Sequence, residues 1–276
     1  LSKADQVFVE MCRDIIDNGY SSLGQIVRPK WSDGISAHTI KKFGVINRYD
    51  LSKEFPALTL RPTAIKSCVD ELLWIWQKHS NNVKDLNSHI WDAWADENGS
   101  IRKAYGYQLG LVHKFPQGEM NQVDDVLWQL KNTPYSRRIL TNIYNHADLW
   151  DMGLSPCAYS MTFNVTDNKL NAILNQRSQD TLVANNWNVC QYAILTMMFA
   201  QVSDLEVGEF VHVIADAHIY DRHVPIVEEL LRRPQFDAPK VYLNPNITDF
   251  YTFTVDDVII ENYQTNPQIK NIPVAE

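Results

Sequence analysis

Apolar residues recur at positions 7, 8, 11, 12, 15 and 16, the spacing of one face of a helix. The pattern predicts a helix over 4–17, ended by Gly19. A second stripe at 65, 68, 69, 72, 73 and 76 predicts a helix over 62–78. It opens on Pro62, and proline suits a first helical turn. Glu71 lies beside that stripe among apolar neighbours. A third helix is predicted over 123–131, stopped before Pro134. From 188 to 203 (NVCQYAILTMMFAQVS) the residues are apolar on nearly every side, which predicts a helix buried all round and too short to cross a bilayer. A last helix is predicted over 223–233.

Alternation takes over elsewhere. MTFNV (161–165) and KLNAILNQ (169–176), joined by TDN, predict a β-hairpin. EFVHVIA (209–215), KVYLNP (240–245) and YTFTVDDVIIENY (251–263) read as strands. GQIVRPKWSDG (24–34) is a polar, turn-rich stretch, and SHIWDAWADENG (88–99) an aromatic-rich loop or short helix. The mixture predicts an α/β (α+β) fold with a large, partly antiparallel sheet. No repeat, low-complexity tract or composition break divides the chain, so residues 1–276 read as one domain.

Composition narrows the function. At 45 % hydrophobic and 11 % aromatic, 276 residues can bury a large core. A net charge of −8 argues against a general nucleic-acid binder, but a local arginine cluster still permits an anionic small substrate. The cysteines, at 12, 68, 157 and 190, show no CxxC spacing, which excludes a zinc knuckle or a thioredoxin motif. No basic-then-apolar leader opens the chain and no apolar run reaches ~18 residues. The expected compartment is the cytoplasm, with reduced thiols. The glycosylation-type triplets at Asn98, Asn164 and Asn246 are then chance matches.

Cys12, Cys68 and Cys190 sit on apolar helical stripes and read as buried thiols. Cys157, in LSPCAYSM, does not. Pro156 stiffens its approach, and a nucleophilic thiol needs nearby cations, which SRR (136–138) and QRS (176–178) offer. Both a small buried residue and a nucleophile remain open for it. Arg28, Arg137, Arg138 and Arg177 stand in polar contexts without acid partners four residues away. Their planar forks suit phosphate, although a solvated surface is the ordinary alternative. In ADAHIYDRH (215–223), His218 and Tyr220 alternate and face one way, fit to bond a sugar hydroxyl. A metal set of Asp216, His218 and His223 has no companion ligand at recognisable spacing, so no metal is expected. Trp91 and Trp94 suit a core or a flat heteroaromatic ring. Asn188 suits a helix N-cap or a two-point contact with a base edge.

Together these pieces resemble the thymidylate synthase family, nearly end to end and in family order. The likeness rests on Arg28, ELLWIW with Glu71, IWDAWADENG, AYGYQ with Tyr105, YSRR, LSPC, QRSQD and WN with Asn188. It continues through AQVSDLEVGEFVH, DAHIY and a PVA tail. The resemblance implies a large mixed β-sheet flanked by helices, in a homodimer packed through its sheets. It also implies reductive methylation of dUMP to dTMP with 5,10-methylenetetrahydrofolate. In that chemistry Cys157 attacks C6 of uracil as a thiolate, C5 takes up the one-carbon unit and loses its proton with Tyr105 and a water as the base chain, and a hydride completes the methyl group.

The same resemblance implies further roles. Arg28, Arg177, Ser178 and Gln176 belong to the dUMP side, with Arg137 and Arg138 donated across the dimer interface. Asn188 reads the uracil edge and His218 and Tyr220 hold the 3′-hydroxyl. Glu71 orders waters near the ring. Asp180, Ile90, Trp91, Trp94, Leu154, Val183, Ala184, Trp187 and Ala275 line the folate side. A phosphate clamp beside Cys157 implies a lowered thiol pKa. Departures from the family pattern are Ala158 where histidine is common, Ala184 for glycine, Asn186 for proline, Trp187 for phenylalanine, Ala215 for glycine, and a charged last residue, Glu276. They cluster around folate, which keeps dUMP hydroxymethylation as an alternative, with water replacing hydride. Asn188 favours uracil over cytosine, and Trp91 and Trp94 favour reduction. A catalytically weak, RNA-binding relative is disfavoured by the net charge.

Overall fold

The first apolar stripe forms α1 (Lys3–Asn18), which buries Val7, Phe8, Met11, Cys12 and Ile15. The structure is a computed structural model and describes residues 1–275. The Glu276 departure lies outside the described residues. Gly19 ends α1 in an extended conformation. A Cβ there would lie 2.2 Å from the Ile15 carbonyl oxygen, so close approach is what demands glycine.

β1 (Tyr20–Ser21) then pairs with β2 (Thr39–Asp50), a long strand that the sequence pattern does not predict. Its Ile40, Phe43, Val45 and Ile46 break the period of two, which hides the strand. α2 (Ile65–Trp76) starts later than Pro62. Thr63 gives its N–H to the Tyr263 hydroxyl (2.9 Å) and its own hydroxyl to Asn186 Oδ1 (2.6 Å), which holds the chain out of the helix until Ala64. Single 3-10 turns follow at Val83–Asp85 and Asp92–Trp94. α3 (Gly106–Gly110) leads to a small hairpin, β3 (His113–Phe115) with β4 (Gly118–Met120). α4 (Gln122–Asn132) is capped by Asn121, whose side chain accepts from Asp124 N–H.

β5 (Leu140–Asn142), β6 (Ala158–Thr166) and β7 (Lys169–Gln176) form an antiparallel meander. The β6–β7 turn is Asp167-Asn168, both at positive φ (48° and 61°), the requirement of a tight two-residue hairpin. β8 (Gln179–Asp180) precedes α5 (Asn185–Val202), whose fourteen buried residues match the all-round apolar pattern. α5 begins before 188, so Asn188 lies inside its first turn and is not its N-cap. β9 (Glu206–Tyr220) is longer than EFVHVIA and carries Asp216, His218 and Tyr220 within the strand. The predicted 223–233 helix shrinks to α6 (Val224–Leu230).

β10 (Lys240–Leu243) pairs with β11 (Val258–Glu261). Residues 251–257 are not strand. Asp249 caps a turn at Phe250–Thr252, and Thr254 with Asp257 forms a capping box over Val255–Asp257. These side-chain bonds satisfy backbone donors that a ladder would otherwise claim.

The main sheet runs β1-β2-β9-β7-β6-β5, with β8 also against β9. β7 and β8 are parallel to β9 and the other pairs antiparallel, a mixed sheet as expected. α1 packs on β2 and β9, α5 on β9 and β7, and α2 on α5. The opposite face carries the row Arg48, Val211, Ile173, Thr162 and Leu140, with Ile46 and Val213 beside it. There Ile46 is 58 %, Leu140 45 % and Ile173 37 % exposed. In-register neighbours share a face, so this is a continuous, partly apolar surface.

Candidate active site

The hairpin sets the centre. Ala158 pairs with Gln176, so the next residues outward, Cys157 and Arg177, meet: Arg177 N–H donates to the Cys157 carbonyl at 2.9 Å. The Arg177 guanidinium then folds under the LSPC loop. Nε donates to the Pro156 carbonyl and Nη2 to the Ser155 carbonyl, both at 2.8 Å, and Nη2 stands 3.7 Å from Cys157 Sγ. Cys157 N–H donates to the Tyr105 hydroxyl at 3.0 Å. Tyr105 is buried and holds a positive φ of 48°, backbone strain that this tight loop imposes. Gly153 brings the tryptophan loop against the cysteine loop: a Cβ there would lie 2.4 Å from the Trp94 carbonyl oxygen.

The half-buried Cys157 thiol is not lowered in this chain. Burial pushes it up, and the Arg177 cation and the Tyr105 hydroxyl pull it down without prevailing. The expected clamp is only partly assembled here. Arg137 and Arg138 are exposed on the loop between α4 and β5, and among the described residues neither guanidinium bonds a site group. Arg28 is exposed as well. Its charge acts on Tyr220, which places it near the strand end. Tyr105 is held far above the ordinary phenol range by burial and then by the neighbouring thiol, so it is a neutral hydroxyl.

Asn188 Oδ1 accepts from Gln176 Nε2 at 3.2 Å. Gln176 Nε2 also donates to the Ser178 carbonyl (3.1 Å), and Gln176 Oε1 accepts from Gln179 Nε2 (3.2 Å) and lies 2.7 Å from His212 Nε2. His212 is fully buried and its pKa is pushed down to about 3, so it is neutral and must carry its proton on Nε2. That proton fixes the Gln176 amide, which in turn fixes Asn188 with Nδ2 free to donate. Sequence reasoning misses His212. Its only signal is a histidine at a core position of a strand.

On β9, His218 Nδ1 lies 2.9 Å from Asp216 Oδ1, and Lys41 Nζ bonds Asp216 Oδ2 at 2.8 Å. Burial raises the Asp216 carboxyl, but the bonds from His218 and Lys41 outweigh it and hold it below the ordinary range. The pairing with Asp216 leaves His218 Nε2 as the free ring nitrogen, beside the edge of Tyr220 with ring centroids 5.2 Å apart. Asp216, His218 and His223 do not converge on one point, since His223 turns to Asp180 instead.

Glu71 is buried, and three groups distant in sequence donate to it: Trp91 Nε1 (2.9 Å), Gln191 Nε2 (2.9 Å) and Trp187 Nε1 (3.3 Å). Burial raises its pKa, and the three bonds oppose the rise. Trp187, at the position expected to hold phenylalanine, adds one of these donors. Trp91 meets Trp94 at 5.7 Å and Tyr105 at 4.9 Å, edge to face. Ile90, Trp94 and Val183 are exposed, and Leu154, Ala184, Trp187 and Ala275 half-buried. Asp180 Oδ1 accepts from Leu182 and Val183 N–H (3.1 and 3.2 Å), and among the described residues no protein group bonds Oδ2. Asp180 thus keeps one carboxylate oxygen open to a donor, and Ile90, Trp94 and Val183 present exposed apolar surface of the kind that packs on a flat ring.

Two further departures have visible consequences. Ala158 is buried against a cavity of about 10 Å³ shared with Trp76, Thr141 and Tyr192. Asn186 fastens the 56–63 segment, accepting from Leu58 N–H (3.0 Å) and donating to the Pro56 carbonyl (2.9 Å).

Comparisons with known proteins agree with one another. The family model described as Thymidylate synthase matches residues 6–275. A thymidylate synthase of Bacillus subtilis subsp. natto is 44 % identical over 269 residues, 96 % of each chain. One from Bacillus phage phi3T is also 44 % identical over the same length and coverage. The solved structure of the thermostable thymidylate synthase A from Bacillus subtilis superposes with a TM-score of 0.94 at 42 % identity, covering 99 % of both chains.

Proposed function

The chain belongs to the thymidylate synthase family, so its reaction is the reductive methylation of dUMP to dTMP, and we propose that Cys157 carries it by adding to C6 of the uracil ring. The observation that supports this most is Arg177 Nη2, 3.7 Å from Cys157 Sγ in a loop that the same guanidinium holds in shape. A cation at that distance favours the thiolate once substrate binds. Tyr105 Oη, neutral and next to Cys157, relays the proton lost from C5 together with a water, giving up its own proton as it takes up another. Glu71 orders water over the ring.

Arg28, Arg177, Ser178 and Gln176 take the nucleotide side with Asn188, and His218 and Tyr220 take the sugar hydroxyl. Arg137 and Arg138 of the partner subunit complete the phosphate clamp. The open sheet face with Ile46, Ile173 and Leu140 supports a homodimer packed through it.

The co-substrate is 5,10-methylenetetrahydrofolate, which supplies the one-carbon unit and the hydride when bound. Asp180 would hold its donor edge, with Ile90, Trp91, Trp94, Leu154, Val183, Ala184, Trp187 and Ala275 around it. Residues 1–276 form one domain in this reading, supported by a buried cluster that runs from Ala4 to Val258. Among the described residues no helix is long and apolar enough to cross a membrane. The cytoplasmic assignment draws support from four cysteines that are all free, as a reducing compartment keeps them.

Incubation with dUMP and methylenetetrahydrofolate yields dTMP with one dihydrofolate per product. A hydroxymethyl nucleotide with tetrahydrofolate would overturn the reading. Asn188→Asp exchanges the donor that faces uracil O4 for an acceptor that suits the cytosine amine. The expected result is a rise of about 100-fold in the dCMP-to-dUMP ratio of kcat/KM, the size of one or two charged hydrogen bonds. An unchanged ratio would remove Asn188 from base reading.

A further inference from the structure

His223 is fully buried between two parts of the site that the sequence keeps far apart. Its Nε2 lies 2.7 Å from the Pro273 carbonyl oxygen and must donate to it. Its Nδ1 faces Asp180 Oδ1 at 3.6 Å and has no hydrogen-bond partner. The terminal segment is fastened upstream by Asn266, to Thr59 and Pro234, and by Gln268, to Pro62. Among the described residues, the Pro273–His223 bond is the one hydrogen bond formed by residues 270–275. Ala275 stands two residues beyond it.

We propose that His223 is a positioning residue that couples the seating of the C-terminal segment to the Asp180 carboxylate, and that it does so as the imidazolium. This rests on the reading of Asp180 and Ala275 as folate-side residues. With both ring nitrogens protonated, one donates to Pro273 and the other draws Asp180 Oδ1 inward, so Oδ2 stays turned toward the ligand. The neutral ring keeps the first bond and loses the second, because a bare Nδ1 repels a carboxylate oxygen.

The surroundings suit the charged form. Asp180 faces the ring from the end of β8, and Asp221 from the turn before α6. Tyr220 and Trp31 meet it edge to face, at 5.5 and 5.6 Å. Arg222 points away, to Asp33 (2.7 Å) and over the Trp31 ring (5.0 Å). Arg61 also acts on Asp180, and its guanidinium bonds the Leu182 carbonyl. Burial lowers the imidazole pKa, but Asp180, the Pro273 carbonyl and Asp221 together hold it above its ordinary value. The coupling is therefore complete below that pKa and is lost as pH rises through it.

The test is His223→Gln, which keeps a donor for Pro273 but cannot take a charge. At saturating dUMP, wild type should exceed the variant about tenfold in kcat/KM for methylenetetrahydrofolate at about pH 6. The ratio should fall toward one by about pH 9, with the KM for dUMP unchanged. Taking the ratio of the two proteins cancels other titrating groups. A pH-independent ratio, or equal losses for both substrates, overturns the proposal. In the wild-type protein, NMR of the His223 ring should show a pKa above the ordinary value that drops in Asp180→Asn; titration at or below the ordinary value also overturns it, whether or not the glutamine variant folds. Asp180→Asn separates the two readings. If it raises the folate KM at least tenfold while His223→Gln does not, only the His223 proposal fails. If it leaves the folate KM unchanged, the folate assignment of Asp180 fails, and the coupling with it.

Discussion

Cys157→Ser lowers kcat by at least ~10⁴-fold, while dUMP binds within about threefold of the wild-type affinity. A serine hydroxyl is a far weaker acid than a thiol, so a single guanidinium 3.7 Å away yields almost no alkoxide at neutral pH. Binding survives because the contacts that shape the loop do not involve the sulfur. Arg177 holds the Ser155 and Pro156 carbonyls, and Tyr105 holds the residue-157 N–H. Turnover by rapid quench and affinity by calorimetry report the two halves separately. Activity within a hundredfold of wild type would mean that the sulfur does not bond the pyrimidine.

Arg137→Ala with Arg138→Ala in one chain should cost at least about 100-fold in kcat/KM for dUMP, as the loss of two charged hydrogen bonds predicts. Neither that protein nor Cys157→Ser works alone. Refolded together in equal amounts they should regain about a quarter of wild-type activity, since half the dimers are mixed and each mixed dimer holds one intact site. The reason lies in where the structure leaves these side chains. Both are exposed on the loop after α4, and among the described residues neither guanidinium bonds a group of its own chain, while Ile46, Ile173 and Leu140 stand exposed on the open sheet face. A mixture no more active than its components would mean that each site is built from one polypeptide.

The amino-acid order alone determined the elements with strong periodicity. The stripe from Val7 to Ile16 became α1, the all-round apolar run became α5, and MTFNV with KLNAILNQ became the β6–β7 hairpin. It also determined which residue types stand ready for chemistry, because the likeness to a family is carried by local motifs such as LSPC and QRSQD. β2 was not legible, because its apolar residues follow no period of two, and the 251–257 segment was misread, because capping by Asp249 and Asp257 prevails over β-rich composition.

Tertiary structure alone decided how the polar groups are satisfied. Glu71 takes donors 20, 116 and 120 residues away, His212 locks an amide 36 residues back, and His223 reaches a carbonyl 50 residues on. It also decided that burial raises the Cys157 thiol in the single chain, with Arg177 and the Tyr105 hydroxyl opposing the rise. The physical reason is range. Apolar patterning follows from the pitch of a helix or strand and is written within a few neighbouring residues. The partner of a buried polar atom is fixed only when strand register and helix packing have brought distant segments into contact.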